Sequence, residues 1–300
     1  MKAPDFDYCK PLALDAVFDV LERYGEGAQL LAGGQSLMPT LNMRLSAPAM
    51  LIDLHGIDAL SGIRVEGDAL WIGALTTHRE IETSALIRQH APLLSSAVTH
   101  VAHAAIRNVG TFGGSIALAD PAAEYPACAL CVNASFVLAS RAGQRRIRAA
   151  DFFLDLYQTA MRPAEVFLGA EIPLSAPSSR FAFGELARRH GDYAIVGLAA
   201  HARIESQVLH DVRLAFLGAA STPVLAHLAA AKLEGQELSS ASLAAAQAEL
   251  EHDLDAPADL TTSRATRLHL ARVLTGRVLA ELTEGLTAGL TAGLTDEAAR

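Results

Sequence analysis

Two stretches pair adjacent glycines with hydroxyl side chains: Ala32-Gly33-Gly34-Gln35-Ser36 and, later, Thr111-Phe112-Gly113-Gly114-Ser115. Paired glycines let successive backbone N–H groups converge with no Cβ in the way, which is how a chain cradles an anion. Ser36, Thr111 and Ser115 add hydroxyl donors suited to phosphate oxygens. One Gly-Gly turn says little, because most are ordinary turns. Two with the same chemistry in one chain point to two clamps on one diphosphate.

Other residue clusters carry weaker signals. Cys128 and Cys131 have C-x-x-C spacing, but the surrounding Ala/Leu/Val-rich run offers no second ligand pair, so both are read as buried apolar residues. With Cys9 the chain has three cysteines, too few for a disulfide framework or a four-cysteine iron–sulfur site. His100 and His103 fall three apart on a helix expected from about Pro92 to Ala105, with no third ligand close in sequence. Asp120 before Pro121 reads as a helix start, with Glu124 in the first turns. Such carboxylates either cap the helix or, beside a diphosphate loop, accept ligand hydroxyls. Arg145, Arg146 and Arg148 read as alternating charge on an exposed strand.

The elements that must position these loops follow from apolar periodicity. Residues 12–24 form an amphipathic helix stopped by Gly25 and Gly27, and Gln29 to Ala32 is a short strand feeding the first loop. A turn of helix over 36–44 puts that loop at a helix N-terminus, and 49–54 is a buried strand. No G-x-G-x-x-G turn is present, so this α/β opening is not a Rossmann start. A hairpin over 62–73 and strands over 136–139, 145–148 and 165–172 follow, then a Pro/Ser-rich linker over 173–179. Strands at 181–187, 194–200 and 208–217 precede helices at 223–233, 239–252 and 263–283, an α+β order.

The 300 residues suit two or three domains, and a net charge of −9 argues against nucleic acid as a partner. No stretch approaches the roughly 20 apolar residues of a membrane span, and the start lacks a signal-peptide pattern, so a cytoplasmic location is expected. The Gly-Leu-Thr repeats near the end read as a flexible tail over 284–300.

Taken together, Leu31 to Pro39, Ile106 to Ser115, Asp120 to Pro126 and Arg188-Arg189-His190-Gly191-Asp192-Tyr193-Ala194 resemble the FAD-binding medium subunit of the molybdenum hydroxylases, the group of carbon monoxide and xanthine dehydrogenases. The resemblance runs to about residue 283. It implies an α+β fold: a two-subdomain FAD-binding domain of the PCMH type (vanillyl-alcohol-oxidase-like) over 1–175, divided into about 1–58 and 59–175. A small domain of antiparallel sheet and helices would then span 178–283.

The resemblance also implies roles. The diphosphate of FAD would bind Ala32, Gly33, Gly34, Gln35, Ser36 and Leu37 together with Thr111, Phe112, Gly113, Gly114 and Ser115. Glu124 matches an acidic position of the family, Leu168 lies near its backbone contact to the flavin ring, and Tyr193 matches an aromatic residue beside that ring. Lys, frequent around Gly184-Glu185 in the family, is missing here, and Gln35 stands where His is common. The implied partners are a large subunit with a molybdenum cofactor and a small subunit with two clusters of the 2Fe–2S type, assembled as a dimer of heterotrimers. Electrons would pass from those clusters to FAD and on to an external acceptor, with no catalytic acid or base and no metal in this chain. Two other readings exist: a self-sufficient FAD-dependent oxidoreductase, and a non-enzymatic assembly subunit. Intact glycine loops and the lack of an evident substrate domain argue against them.

Overall fold

The computed structural model describes residues 2–284. Its first sheet is built from β1 (Asp7–Cys9), helix α1 (Leu14–Tyr24), β2 (Ala28–Leu31), α2 (Leu37–Asn42) and β3 (Met50–Asp53). β3 lies between β1 and β2, runs parallel to both, and buries all its residues. Parallel neighbours need a crossover, and α2 with its flanks supplies the one from β2 to β3. The first glycine loop therefore leaves the C-terminal end of a parallel strand, where open α/β sheets bind ligands. α1 covers this sheet with Val17, Phe18 and Leu21 and ends at Gly25, whose φ of 51° suits glycine.

A hairpin of β4 (Ile63–Glu66) and β5 (Ala69–Gly73) opens the second part. Six short helices follow: α3 (His78–Thr83), α4 (Ala85–His90), α5 (Pro92–Ala97), α6 (Ala104–Arg107), α7 (Phe112–Leu118) and α8 (Glu124–Cys131). β6 (Ser135–Ser140), β7 (Gly143–Arg148), the small hairpin β8 (Phe153–Asp155) and β9 (Gln158–Thr159), and β10 (Val166–Pro173) complete it. The five-stranded antiparallel sheet has the order β4-β5-β10-β6-β7.

The expected helix over 92–105 is two helices. α5 ends at Ala97, Ala102 sits in the left-handed region with φ 43°, and α6 begins at Ala104. Arg107 is one cause: its guanidinium takes the Val101 and Ala102 carbonyls at 3.0 and 3.2 Å, the acceptors a continuous helix would use. His100 and His103 thus share no helix face; His103 stands at the position before α6, and its side chain makes no capping bond. The start of α8 also differs from expectation. Asp120 Oδ1 accepts from Ala122 N at 2.9 Å, closing a turn before the helix, and Ala123 takes the cap position. Arg145, Arg146 and Arg148 do lie along β7, and Glu165, Glu171 and Asp151 pair with them at 2.7, 2.8 and 2.9 Å. Cys128 and Cys131 are buried in α8 as read from the sequence, and burial pushes the Cys131 thiol up to about 12.

The last part is a four-stranded antiparallel sheet of β11 (Ser179–Ala187), β12 (Ala194–Glu205), β13 (Val208–Leu217) and β14 (Val224–Leu225). α9 (His227–Leu233), α10 (Ser240–Asp253) and α11 (Arg264–Leu282) cover one face. β14 takes residues that helical spacing assigned to α9, because Val224 and Leu225 pair with Phe216 and Ala215. The other face meets the preceding part: Phe183, Ala199, Ala215 and Leu217 share a core with Leu94, Leu130 and Phe136. α8 is the wedge between them. Gly218 N donates to Pro121 O at 2.7 Å, and Arg213 donates to Cys131 O at 2.8 Å. Buried Arg267 of α11 donates to the carbonyls of Ile195, Gly218 (2.9 Å) and Pro257 (3.0 Å), and to Asp259 at 2.6 Å. The expected tail over 284–300 lies, apart from Glu284, outside the described residues.

Candidate functional site

The first glycine loop has a row of uncommitted donors. Gly34 turns the chain with φ 68°, Gln35 Nε2 donates back to Gly33 O at 3.1 Å, and Met38 N donates to Gly34 O at 3.0 Å to begin α2. The intervening N–H groups of Gly33, Gly34, Gln35, Ser36 and Leu37 meet no acceptor among the described residues. Gly33 is buried, while Gln35 and Ser36 are exposed. Consecutive free amides where a parallel strand ends are the donor set that a diphosphate requires.

The second loop is built differently from the paired-clamp expectation. Thr111 caps α7, its hydroxyl accepting from Gly114 N at 3.2 Å, and Ser115 N donates to Thr111 O at 3.1 Å. Phe112 N is taken by Thr76 O at 2.9 Å and Gly113 N by Ala74 O at 2.8 Å. Its amides are therefore spent within the chain, pinning the loop to the segment after β5. What it offers a ligand is the half-buried Ser115 hydroxyl and, from a buried position, the Thr111 hydroxyl.

The two loops meet. A Cβ on Gly33 would lie 2.5 Å from Val109 O and 2.7 Å from Gly110 Cα, and one on Gly114 would lie 3.8 Å from Ala32 Cβ. Leu168 joins them through one residue: its carbonyl accepts from Ala74 N at 2.9 Å, and Ala74 is the acceptor for Gly113. Leu168 is buried at the irregularity in β10 between Phe167 and Gly169, which aims its backbone differently from its neighbours.

Beyond α7 the remaining candidates converge. Glu124, at the first turn of α8, has its carboxyl pushed up to about 8 by burial, with Glu185 and Asp120 adding to the shift. Tyr193, 70% exposed on the loop before β12, has its phenol raised by desolvation and by the nearby Asp120 and Glu124 carboxylates. Tyr157, which the sequence reading did not single out, donates to Asp120 Oδ2 at 3.3 Å from the turn between β8 and β9. Only its place in an aromatic-rich run, Phe152 to Tyr157, set it apart.

The Glu124 shift fixes a sign. A carboxyl whose proton is held more tightly in the folded chain contributes stability below its unfolded value, near 4.5, and loses it as pH rises toward 8. Glu124→Gln, neutral throughout, should gain stability relative to the parent between pH 6 and 9. Denaturant midpoints of the FAD-free chain at both pH values check this; a constant difference would show that Glu124 titrates normally.

Comparison with known proteins fits this geometry. Residues 4–175 match the family described as the FAD-binding domain in molybdopterin dehydrogenase. Residues 181–282 match the CO dehydrogenase flavoprotein C-terminal domain. The beta subunit of caffeine dehydrogenase from a Pseudomonas species is 34% identical over 95% of this chain and 97% of its own. The solved carbon monoxide dehydrogenase of Hydrogenophaga pseudoflava superposes with a TM-score of 0.92 at 33% identity, covering 94% of this chain and 98% of that one. Quinoline 2-oxidoreductase from Pseudomonas putida gives a TM-score of 0.90 at 36% identity, over 95% and 99%. The free amides of the first loop, the closely apposed second loop and the match over both parts of the chain agree, and the chain belongs to the FAD-binding medium subunits of the molybdenum hydroxylases, an oxidoreductase family.

Proposed function

We propose that this chain is the electron-transfer flavoprotein of a three-subunit dehydrogenase, receiving electrons from 2Fe–2S clusters of a small subunit and passing them to an external acceptor. The observation that carries the reading is the run of uncommitted N–H groups from Gly33 to Leu37, closed on one side by the second loop. In this reading those amides and the Ser36, Thr111 and Ser115 hydroxyls hold the FAD diphosphate. Glu124 accepts or donates to hydroxyls of the ribityl chain, the Leu168 backbone lies against the flavin ring, and Tyr193 screens it from solvent. The Phe112 and Gly113 amides fix the loop rather than bind. Bound FAD supplies the capacity to take electrons singly and release them in pairs; the protein supplies binding, orientation and tuning.

The substrate would be oxidised at a molybdenum cofactor in a large subunit, and the three chains would pair as a dimer of heterotrimers in the cytoplasm. Relatives named as a beta subunit and a medium chain support a multi-subunit assembly, and among the described residues no helix is long and apolar enough to cross a membrane. The FAD-binding domain is read as 1–175 and the C-terminal domain as 178–283.

The test is the chain purified alone. Its absorbance should show a flavin, heat should release FAD at near-equal stoichiometry, and it should reduce a dye only when an electron donor is supplied. Colourless protein that takes up no FAD, alone or co-expressed with its partners, would overturn the site. Turnover of an organic substrate by the chain alone would overturn the electron-transfer role.

A further inference from the structure

One guanidinium stands between the second glycine loop and a loop of the C-terminal domain. Arg107, at the end of α6, has a side chain only 13% exposed. Its Nε and Nη2 donate to the two carboxylate oxygens of Glu82 in α3, at 3.3 and 3.2 Å. Its Nη1 donates to the Val101 and Ala102 carbonyls at 3.0 and 3.2 Å. Burial pushes the Glu82 carboxyl up, but hydrogen bonds from Arg79 and Arg107 outweigh it, so the carboxyl stays below its ordinary value and remains charged. The two carbonyls belong to the break between α5 and α6, where Ala102 holds a φ of 43°. A left-handed alanine is costly and persists only where its surroundings hold it. Arg107 supplies that hold.

The break has a neighbour on each side. Toward the C-terminal domain it receives Gly191, which has a φ of 78°. A Cβ there would lie 2.8 Å from the Ala102 carbonyl oxygen and 2.8 Å from two atoms of the His103 ring. Gly191 belongs to the loop over 188–193 that joins β11 to β12 and ends at the exposed Tyr193. Toward the FAD-binding domain, α6 runs straight into the second glycine loop. Gly110 N donates to Ile106 O at 2.7 Å, and His78 N at the start of α3 donates to Gly110 O at 2.9 Å. Gly110 is in turn the residue against which Gly33 packs. One short helix thus carries the loop contact at one end and the seat for Gly191 at the other.

We propose that Arg107 is a positioning residue for the flavin reaction: it fixes the Ala102–His103 turn as the seat of the 188–193 loop and so holds Tyr193 in place over the flavin. The inference rests on the reading of Tyr193 as the screen of the ring. Arg107 acts through that loop, since its hydrogen bonds go to Glu82, Val101 and Ala102.

Trypsin reads the seat without reference to the flavin, because Arg188 and Arg189 lie in the loop with side chains 63% and 83% exposed. In the full-length FAD-loaded chain, Arg107→Ala should speed native cleavage after these residues roughly tenfold, the gain in open population when a charge-assisted hydrogen bond is lost. The gain should not depend on added urea, as a local opening requires. Arg107→Lys keeps a charge beside Glu82 but lacks the fork that spans carboxylate and carbonyls, so it should fall between parent and alanine. Gly191→Ala attacks the seat from the other domain. It should speed cleavage to a similar degree, and it carries the test if Arg107→Ala fails to fold. In the double variant the two effects should not multiply. Iodide quenching of the flavin emission is the second readout, and Arg107→Ala, Gly191→Ala and Tyr193→Ala should each increase it. Unchanged cleavage in both seat variants, or effects that multiply, would overturn the inference; increased quenching in Tyr193→Ala alone would then leave the screen standing. Faster cleavage in both seat variants with quenching unchanged in all three would uphold the seat and remove the screening role from Tyr193.

Discussion

Gly33→Ala will separate the two glycine loops and lower FAD affinity at least tenfold. The added methyl would sit 2.5 Å from Val109 O and 2.7 Å from Gly110 Cα, both backbone atoms that no rotamer change can move. Overpacking of this kind costs about 1–3 kcal/mol, and any relief displaces either the free amides of the first loop or the capped start of α7. Gly114→Val attacks the same site from the other side, since its Cβ would lie 2.9 Å from the Thr111 hydroxyl that holds the Gly114 amide. Equilibrium titration with FAD, with thermal unfolding as a control on folding, measures both. An alanine at position 33 that binds FAD normally would mean that the two loops do not act together.

Arg267→Ala will be the most destabilising single change in the C-terminal part, by about 3–5 kcal/mol. Its guanidinium is buried and donates to three carbonyls from three separate segments, those of Ile195, Gly218 and Pro257. Removing it strands all three in a place water does not reach. In a chain of this size that cost lowers the melting temperature by roughly 5–10 °C. Arg267 also has Asp259 as a partner, whose carboxyl is held down at about 2 chiefly by the Thr261 hydroxyl and the Thr261 and Thr262 amides, with Arg267 adding to this. A depressed carboxyl contributes stability above its unfolded value, near 3.8, and loses it as pH falls toward 2. The variant should therefore show a shallower loss of stability over that acid range. A drop of less than 1 kcal/mol by denaturant unfolding would show that the carbonyls find other donors.

The sequence disclosed those features whose physics is local. α1, the β4–β5 hairpin and the strand before the first loop all announce themselves by spacing and turn residues. β1 did not, because a three-residue strand exists only through its parallel pairing with β3. The break between α5 and α6 escaped notice because its causes come from outside the periodic run: Arg107 takes two carbonyls, and Gly191 seats against Ala102 and His103 from the other domain. In the site, glycines and hydroxyls were visible as residue types, but the state of the amides was not. The second loop resembles the first in composition, yet Thr76 and Ala74 claim its donors, and those acceptors belong to another part of the sheet. The burial of Glu185 beside His100 and the bond from Tyr157 to Asp120 were hidden for a related reason, since each joins segments far apart in sequence. An acidic residue in a strand reads as solvated until the fold brings a second domain over it.

The shared core has a consequence for how the molecule comes apart. Residues 4–175 and 181–282 match two separate families, and the chain between β10 and β11 invites a cut. Yet Phe183, Ala199, Ala215 and Leu217 complete the apolar layer that α8 begins, and the bonds from Gly218 to Pro121 and from Arg213 to Cys131 cross the same seam. Two units of inheritance are thus expected to unfold as one. A fragment ending at the linker would expose the oily flank of α8 and aggregate rather than refold, and heat should melt both halves in a single transition.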